Sequence, residues 1–304
     1  MQKSYQLSDG KVIACDQGQG EILVFVNPTE EERKYLTETL LLDEHTLNST
    51  MDPDELPRLE FEPSHQAMIL KKPKNYSNED DFLFRVTSMG FFLFRDRLVI
   101  VAPDEAALFE ARIFTAVRSL HEVLLRLIYR NIFHYREHLK IVNMISEDLE
   151  HKINVSLENK YLINLFSLEK SLVYYLNALN SNAAVFERLK NSAAKIGFSP
   201  ESVELLEDII IENNQCFRQA EIYSNILAGL MDARASIVSN NLNVLMKTLN
   251  IITIAIMVPT FVVSAFSMNV RIPMEDHPGA FWMVLGLALF SVMGFFLFWR
   301  YKKW

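Results

Sequence analysis

Hydrophobic positions along the chain follow two rhythms and then give way to two uninterrupted apolar runs. In the first hundred residues, short apolar runs at 11–14, 21–26, 66–70, 82–86 and 91–101 are bounded by turn residues and predict strands. Gly18-Gln19-Gly20 predicts a hairpin turn between the first two. Residues 28–42 predict a helix, with Glu30, Glu31 and Glu32 in its first turn, where the helix dipole favours negative charge. This part reads as mixed α/β.

From Pro103 onward the period lengthens to that of helices. Between Pro103 and Pro259 the only proline is Pro200, and the only glycines are Gly197 and Gly229. Residues 104–190 therefore predict two or more long helices. Gly197 closes a helix, and Ser199-Pro200 opens the next as N-cap and first-turn proline. No comparable stop follows before Pro259, so one helix is predicted from Pro200 to about Ala265, roughly 100 Å long at 1.5 Å per residue.

The last sixty residues hold the two long runs. Positions 248–270 carry no charge over 23 residues, and 278–299 carry none over 22. Each exceeds the ~20 residues that a helix needs to cross ~30 Å of hydrocarbon. The reading is a membrane hairpin, with a first span at about 248–266, an outer loop at 267–279 and a second span at about 280–300. Lys247, Arg300, Lys302 and Lys303 flank its ends, and the loop carries Arg271 beside Glu275 and Asp276. The positive-inside rule then expects both termini in the cytoplasm of a multi-pass inner-membrane protein. Trp282, Trp299, Tyr301 and Trp304 stand near the ends of the second span, where aromatic rings favour the headgroup layer. The domain reading is thus 1–103 α/β, 104–247 a long-helix stalk and 248–304 the membrane hairpin.

Composition narrows the function classes. Of the formal net charge of −8, four basic and two acidic residues follow Lys247, so −10 falls on residues 1–247. An acidic soluble part disfavours nucleic acid and suits cations, although plain solubility explains the charge equally well. Cys15 and Cys216, far apart, form no zinc or redox spacing and fit a reducing compartment. The N-terminal decapeptide has no apolar core of a secretory signal. No GxxxxGK[ST] occurs, so nucleotide-driven pumping has no support. No nucleophile, paired-acid or phosphate-loop constellation points to an enzyme.

The candidate chemistry lies on one line of the long helix. At alternating spacings of four and three it runs Asp232, Ser236, Ser239, Asn243, Met246, Asn250, Thr253, Met257, Thr260, Ser264. Such spacings keep residues on one seam, and a polar seam inside lipid is costly unless it meets protein or water. Small polar residues can glue membrane helices together. Alternatively, symmetry-related copies turn the stripe toward a wet axis, which also explains its continuation into the soluble part and its acidic end. Mg²⁺ sheds water reluctantly, and Asn carbonyls can accept hydrogen bonds from its coordinated waters without trapping it. Met246, Leu249 and Met257 would give apolar constrictions that gate by dewetting. Asp232 would concentrate cations at the inner mouth.

These residues also carry a resemblance. Leu242-Asn243-x-x-Met246-Lys247-x-Leu249, Ile251-Ile252, Pro259-Thr260 and Ser267-Met268-Asn269 resemble the CorA family of magnesium transporters, which ends in two membrane helices with Gly-Met-Asn after the first. Leu42-x-x-His45-x-Leu47 and Pro57-Arg58-Leu59-Glu60 resemble its N-terminal domain more weakly. The resemblance implies an α+β membrane protein, a funnel-shaped homopentamer embedded in the bilayer whose long helix lines the pore. It places Asn243, Met246, Leu249, Met257 and Thr260 along the pore and Asn269 at the outer entrance, facing the hydrated ion. Asp208 matches an acid of an intersubunit regulatory Mg²⁺ site, and Glu275 and Asp276 fall where the family carries outer-loop acids. Divalent cations are the only cofactor or cargo implied: Mg²⁺ first, with Co²⁺ or Ni²⁺. The departure is Ser267 in place of the motif glycine, which resists backbone conformations that glycine allows. The related ZntB branch, which moves Zn²⁺, also varies this motif, although at its middle position, so Zn²⁺ transport stays open, as does a non-conducting scaffold or sensor.

Weaker signals have plainer readings. His134 and His138 stand i, i+4, at metal-ligand spacing, but without further ligands nearby they read as exposed or packed between helices. His121 carries no more. Glu204, Glu207 and Asp208 crowd the start of the long helix, where the dipole suffices to explain them.

Overall fold

A computed structural model describes residues 2–16, 20–76, 82–104, 108–109, 114, 116–155, 159–268 and 277–302. The predicted turn at Gly18-Gln19, together with Asn269, Arg271, Glu275, Asp276, Lys303 and Trp304, lies outside the described residues. The chain divides into two compact units, Met1–Met231 and Asp232–Trp304.

In the first unit, seven strands form one sheet in the order β2-β1-β3-β7-β6-β5-β4. They are β1 (Gln2–Ser8), β2 (Lys11–Cys15), β3 (Ile22–Val26), β4 (Arg58–Phe61), β5 (Gln66–Pro73), β6 (Val86–Leu93) and β7 (Leu98–Ala102). Only the central β3–β7 pair is parallel, in register Val24↔Ile100. That pair is covered on both faces, which is why its residues read as continuous apolar runs. Alternate side chains separate into two cores. Ile22, Val24, Leu98 and Ile100 join a large core with the long helices. Leu23, Phe25, Val99 and Val101 face the other way, onto Leu36, Leu40, Leu42 and Leu47.

That second layer is α1 (Glu30–Lys34), a π-helical turn over Tyr35–Thr39, and α2 (Glu44–Ser49). Thr29 caps α1 in a reciprocal box: its hydroxyl accepts from Glu32 N at 3.3 Å, while the Glu32 carboxylate accepts from Thr29 N at 2.8 Å. The predicted helix over 28–42 is thus present in its first half and unwinds into the wider turn. The predicted hairpin between the runs 11–14 and 21–26 is corrected, because β2 and β3 do not pair with each other but flank β1, each antiparallel to it. Two predicted strands are corrected as well. Residues 82–85 are not strand, and Phe82 has a positive φ of 63°. The run 91–101 is two strands, folded back where Phe94 N donates to Arg97 O at 2.9 Å.

The helical layer is α3 (Leu120–Val155), α4 (Asn159–Asn191), a single turn α5 (Ala193–Ile196) and α6 (Pro200–Phe266). Gly197 ends α5 in the left-handed conformation, φ 88°. Ser199 Oγ then accepts from Ser202 N at 3.2 Å, capping α6 in the manner that its Ser-Pro start predicts. The α6 helix runs 67 residues without a break and carries Pro259 inside it. In the second unit, the end of α6 is followed by α7 (Ala280–Lys302).

Candidate ion pathway

The end of α6 and α7 are both long and apolar enough to cross a membrane, with mean hydropathies of 2.1 and 2.3. Each shelters one line of side chains. On α6 the least exposed positions are Ile251, Ala255, Val258, Pro259, Val262 and Phe266; on α7 they are Val284, Ala288, Ser291, Val292, Phe295 and Trp299. These lines have the 3–4 spacing of a packed seam. At ~100° per residue, the predicted stripe lies on the opposite side of α6 from this seam. Asn250, Thr253, Met257, Thr260 and Ser264 are all exposed. The stripe is therefore not the surface that holds α6 to α7.

Before the membrane run, α6 is uncovered on every side. All residues from 235 to 250 are exposed, Ser236, Ser239, Asn243, Met246, Leu249 and Asn250 among them, and so is Asp232. The uncovered set includes large apolar side chains, with Leu242 57% and Leu245 64% exposed. A helix that bares both a polar line and apolar flanks is not a finished surface in water.

Hydroxyl directions along the stripe are specific. Thr253 Oγ1 donates to Leu249 O at 2.8 Å, and Thr260 Oγ1 donates to Ile256 O at 2.7 Å. Each hydroxyl proton is thus committed to the helix's own backbone, so only oxygen lone pairs face outward. Such a wall accepts hydrogen bonds and offers none from these groups. The polarity of the hydroxyls is invisible in sequence, since threonine can donate or accept.

Ser267 and Met268 are exposed just beyond the end of α6. Ser267 N donates to Ser264 O at 3.1 Å, and its Oγ donates to Val263 O at 3.0 Å. Its φ is not positive, so this position does not demand glycine here. The rest of the motif, Asn269, falls outside the described residues.

Asp208 is exposed on the first part of α6. Its neighbour Glu207 pairs with Lys190 at 2.8 Å. Among the described residues, no three His, Cys, Asp or Glu side chains converge on a metal-sized site. The His134–His138 pair is a packing feature. Their rings lie 4.3 Å apart edge to face, and His138 Nδ1 meets Tyr175 OH at 2.5 Å. Burial pushes both imidazoles down to about 4, with Lys72 adding to the effect at His134 and His134 adding to it at His138.

Comparison with known proteins agrees with this architecture. A model of the family described as "CorA-like Mg2+ transporter protein" matches residues 18–302. The cobalt/magnesium transport protein CorA of Methanocaldococcus jannaschii is 24% identical over 296 residues, covering 91% of this chain and 89% of that protein. The complete structure of the CorA magnesium transporter from the same organism matches with a TM-score of 0.85 and 22% identity, over 98% of this chain and 96% of its own. The cytoplasmic domain of ZntB from Vibrio parahaemolyticus matches with a TM-score of 0.61 at 15% identity, over 78% of this chain and 98% of its own. A seven-stranded α/β unit, long helices, two candidate membrane helices and a family match over nearly the whole length together place the chain in the CorA-like Mg²⁺ transporter protein family.

Proposed function

We propose that this chain conducts divalent cations, Mg²⁺ first among them, through a pore that five copies build by turning the α6 stripe to a shared axis. The observation that carries the reading is the uncovered stretch of α6 from 235 to 250. Packing copies around an axis covers its apolar flanks and leaves the polar line in water, which satisfies both surfaces at once. The position of α7 on the far side supports the same arrangement, because the stripe remains free for other copies.

The wall chemistry suits a hydrated cation. Waters bound to Mg²⁺ point their protons outward, and lone pairs of Thr253, Thr260 and the Asn243 and Asn250 amides can accept them. None of these groups is charged, so the ion is guided without being trapped. Met246, Leu249 and Met257 supply the narrow apolar rings, and Asp232 draws cations to the inner mouth. Asn269, with Ser267 and Met268 beside it, forms the outer entrance; Glu275 and Asp276 raise the cation concentration there. Asp208 joins a neighbouring copy in a regulatory site that closes the pore when internal Mg²⁺ is abundant. Both termini lie in the cytoplasm, and the inward membrane potential supplies roughly 4–5 kcal/mol per 100 mV for a doubly charged ion.

Zn²⁺ transport is the second reading, favoured by the structural likeness of the first unit's fold to the cytoplasmic domain of ZntB. Purified protein in liposomes loaded with a metal-sensitive dye separates the two readings. Mg²⁺ influx exceeding Zn²⁺ influx supports the first. The Asn250→Leu and Thr253→Val variants should lower Mg²⁺ influx at least about tenfold, as expected when a hydrated ion loses an acceptor worth about 1.5 kcal/mol. Ile252→Val, on the lipid side, should leave it unchanged. Equal flux in all three variants would remove the stripe from the pathway.

A further inference from the structure

The α6–α7 seam ends in donors that find no acceptor among the described residues. Lys247 stands four residues before Ile251 and continues the sheltered line of α6 past the membrane run. Lys302 stands three residues after Trp299 and continues the matching line of α7. Both ammonium groups are exposed, as is Arg300. Among the described residues, none of the three lies within ion-pairing distance of a carboxylate, although nine pairs of that kind occur in the first unit. Trp299 Nε1, on the sheltered line of α7, is buried with no acceptor among the described residues. A buried N–H without a partner is unusual and costly. Among the described residues, that end of the seam therefore holds cations and a donor and no anion.

Its depth identifies the anion. Lys247 lies 19 residues before Phe266, and Trp299 lies 19 residues after Ala280. At 1.5 Å per residue both stand about 28 Å from the other end of the hairpin, close to the thickness of the hydrocarbon layer. These donors are thus at headgroup level on the side of the termini. Tyr301, 88% exposed beside them, is the amphipathic ring expected at that depth. A soluble phosphate would have to reach this place through the headgroups, whereas a phospholipid already holds its phosphate there.

We propose that the end of the α6–α7 seam is a binding site for the phosphate of an acidic glycerophospholipid, held by Lys247 and Lys302. The proposal rests on the two helices spanning the bilayer and does not require that the chain conduct ions. Lipid binding can therefore fail while transport stands, and the reverse.

The test uses the full chain, purified in detergent and stripped of lipid, with bound lipid counted by native mass spectrometry. Phosphatidylglycerol should be retained over phosphatidylcholine by about thirtyfold, which is about fivefold for each lysine at an acidic surface. In the K247Q/K302Q chain the preference should fall to near parity, while K247R/K302R and the remote K140Q keep it. Phosphatidylcholine retention, equal in all variants, reports that the hairpin is intact. Equal retention of the two lipids by the unaltered chain overturns the proposal, as does a preference that survives K247Q/K302Q. Displacement of phosphatidylglycerol by millimolar inorganic phosphate would make the site one for free anions, and would overturn it too.

Discussion

Asn182, buried on α4, does the work of a missing strand. β4 pairs with β5 only from Arg58↔Ile69 to Phe61↔Gln66, so the outer edge of β5 beyond Ile69 has no strand beside it. Lys71 N donates to Asn182 Oδ1 at 2.9 Å, and Asn182 Nδ2 donates to Lys71 O at 2.8 Å. The side-chain amide closes that edge as a peptide unit would. Replacing Asn182 with Leu should cost about 2–3 kcal/mol, because Lys71 N is left buried without an acceptor, and urea unfolding would read the loss. No sequence pattern pointed to this residue: an asparagine within a helix reads as surface until the fold brings it to a strand 111 residues away. His138 carries a second prediction. Its imidazole is held at about 4 by burial, below its ordinary 6.5. The unfolded chain takes up a proton there that the folded chain refuses. Stability from this site is therefore complete above about pH 6.5 and drains away as pH falls toward about 4. Unfolding midpoints measured across that window should decline, and should decline less in His138→Gln. A slope identical in the two chains would assign the acid sensitivity to other groups.

At the scale of elements, punctuation was more legible than periodicity. Gly197, Ser199 and Pro200 marked the α5–α6 junction correctly because each acts through its own backbone or cap. Gly197→Ala should cost about 1 kcal/mol; with nothing within 4 Å of the added Cβ, the whole penalty comes from the left-handed backbone. Ser199→Ala should cost a similar ~1 kcal/mol through the lost cap, and the pair should be close to additive in thermal unfolding only if the two devices act separately. Strands were harder. β1 reads Gln-Lys-Ser-Tyr-Gln-Leu-Ser and has a single buried residue, Ser4. It is held by ladders on both sides, to β2 and to β3, and backbone pairing leaves no apolar signature. β4, with one buried residue in four, escaped for the same reason. In the run 91–101, the polar Arg95, Asp96 and Arg97 were the visible break that a reading by hydrophobicity passed over.

Across the whole molecule, both hydrophobic cores close before Met231, while among the described residues of the second unit only Ala288 is buried. A chain ended at Met231 should therefore remain folded in water and keep the acid sensitivity of His138; circular dichroism across the same pH window checks this. The family and the two candidate membrane helices were visible in the sequence, because lipid imposes long apolar runs. Which side of α6 meets α7, and which way the threonine protons point, depended on three dimensions. That second point reaches further than selectivity. From Ser236 to Ser264 the line holds amides, hydroxyls and thioethers and no group that titrates between about pH 4 and 10. A proton has no resting place along it, so a cation passing there should travel without exchanging for acid. Its flux should hold steady when the two sides of the membrane are set to different acidity.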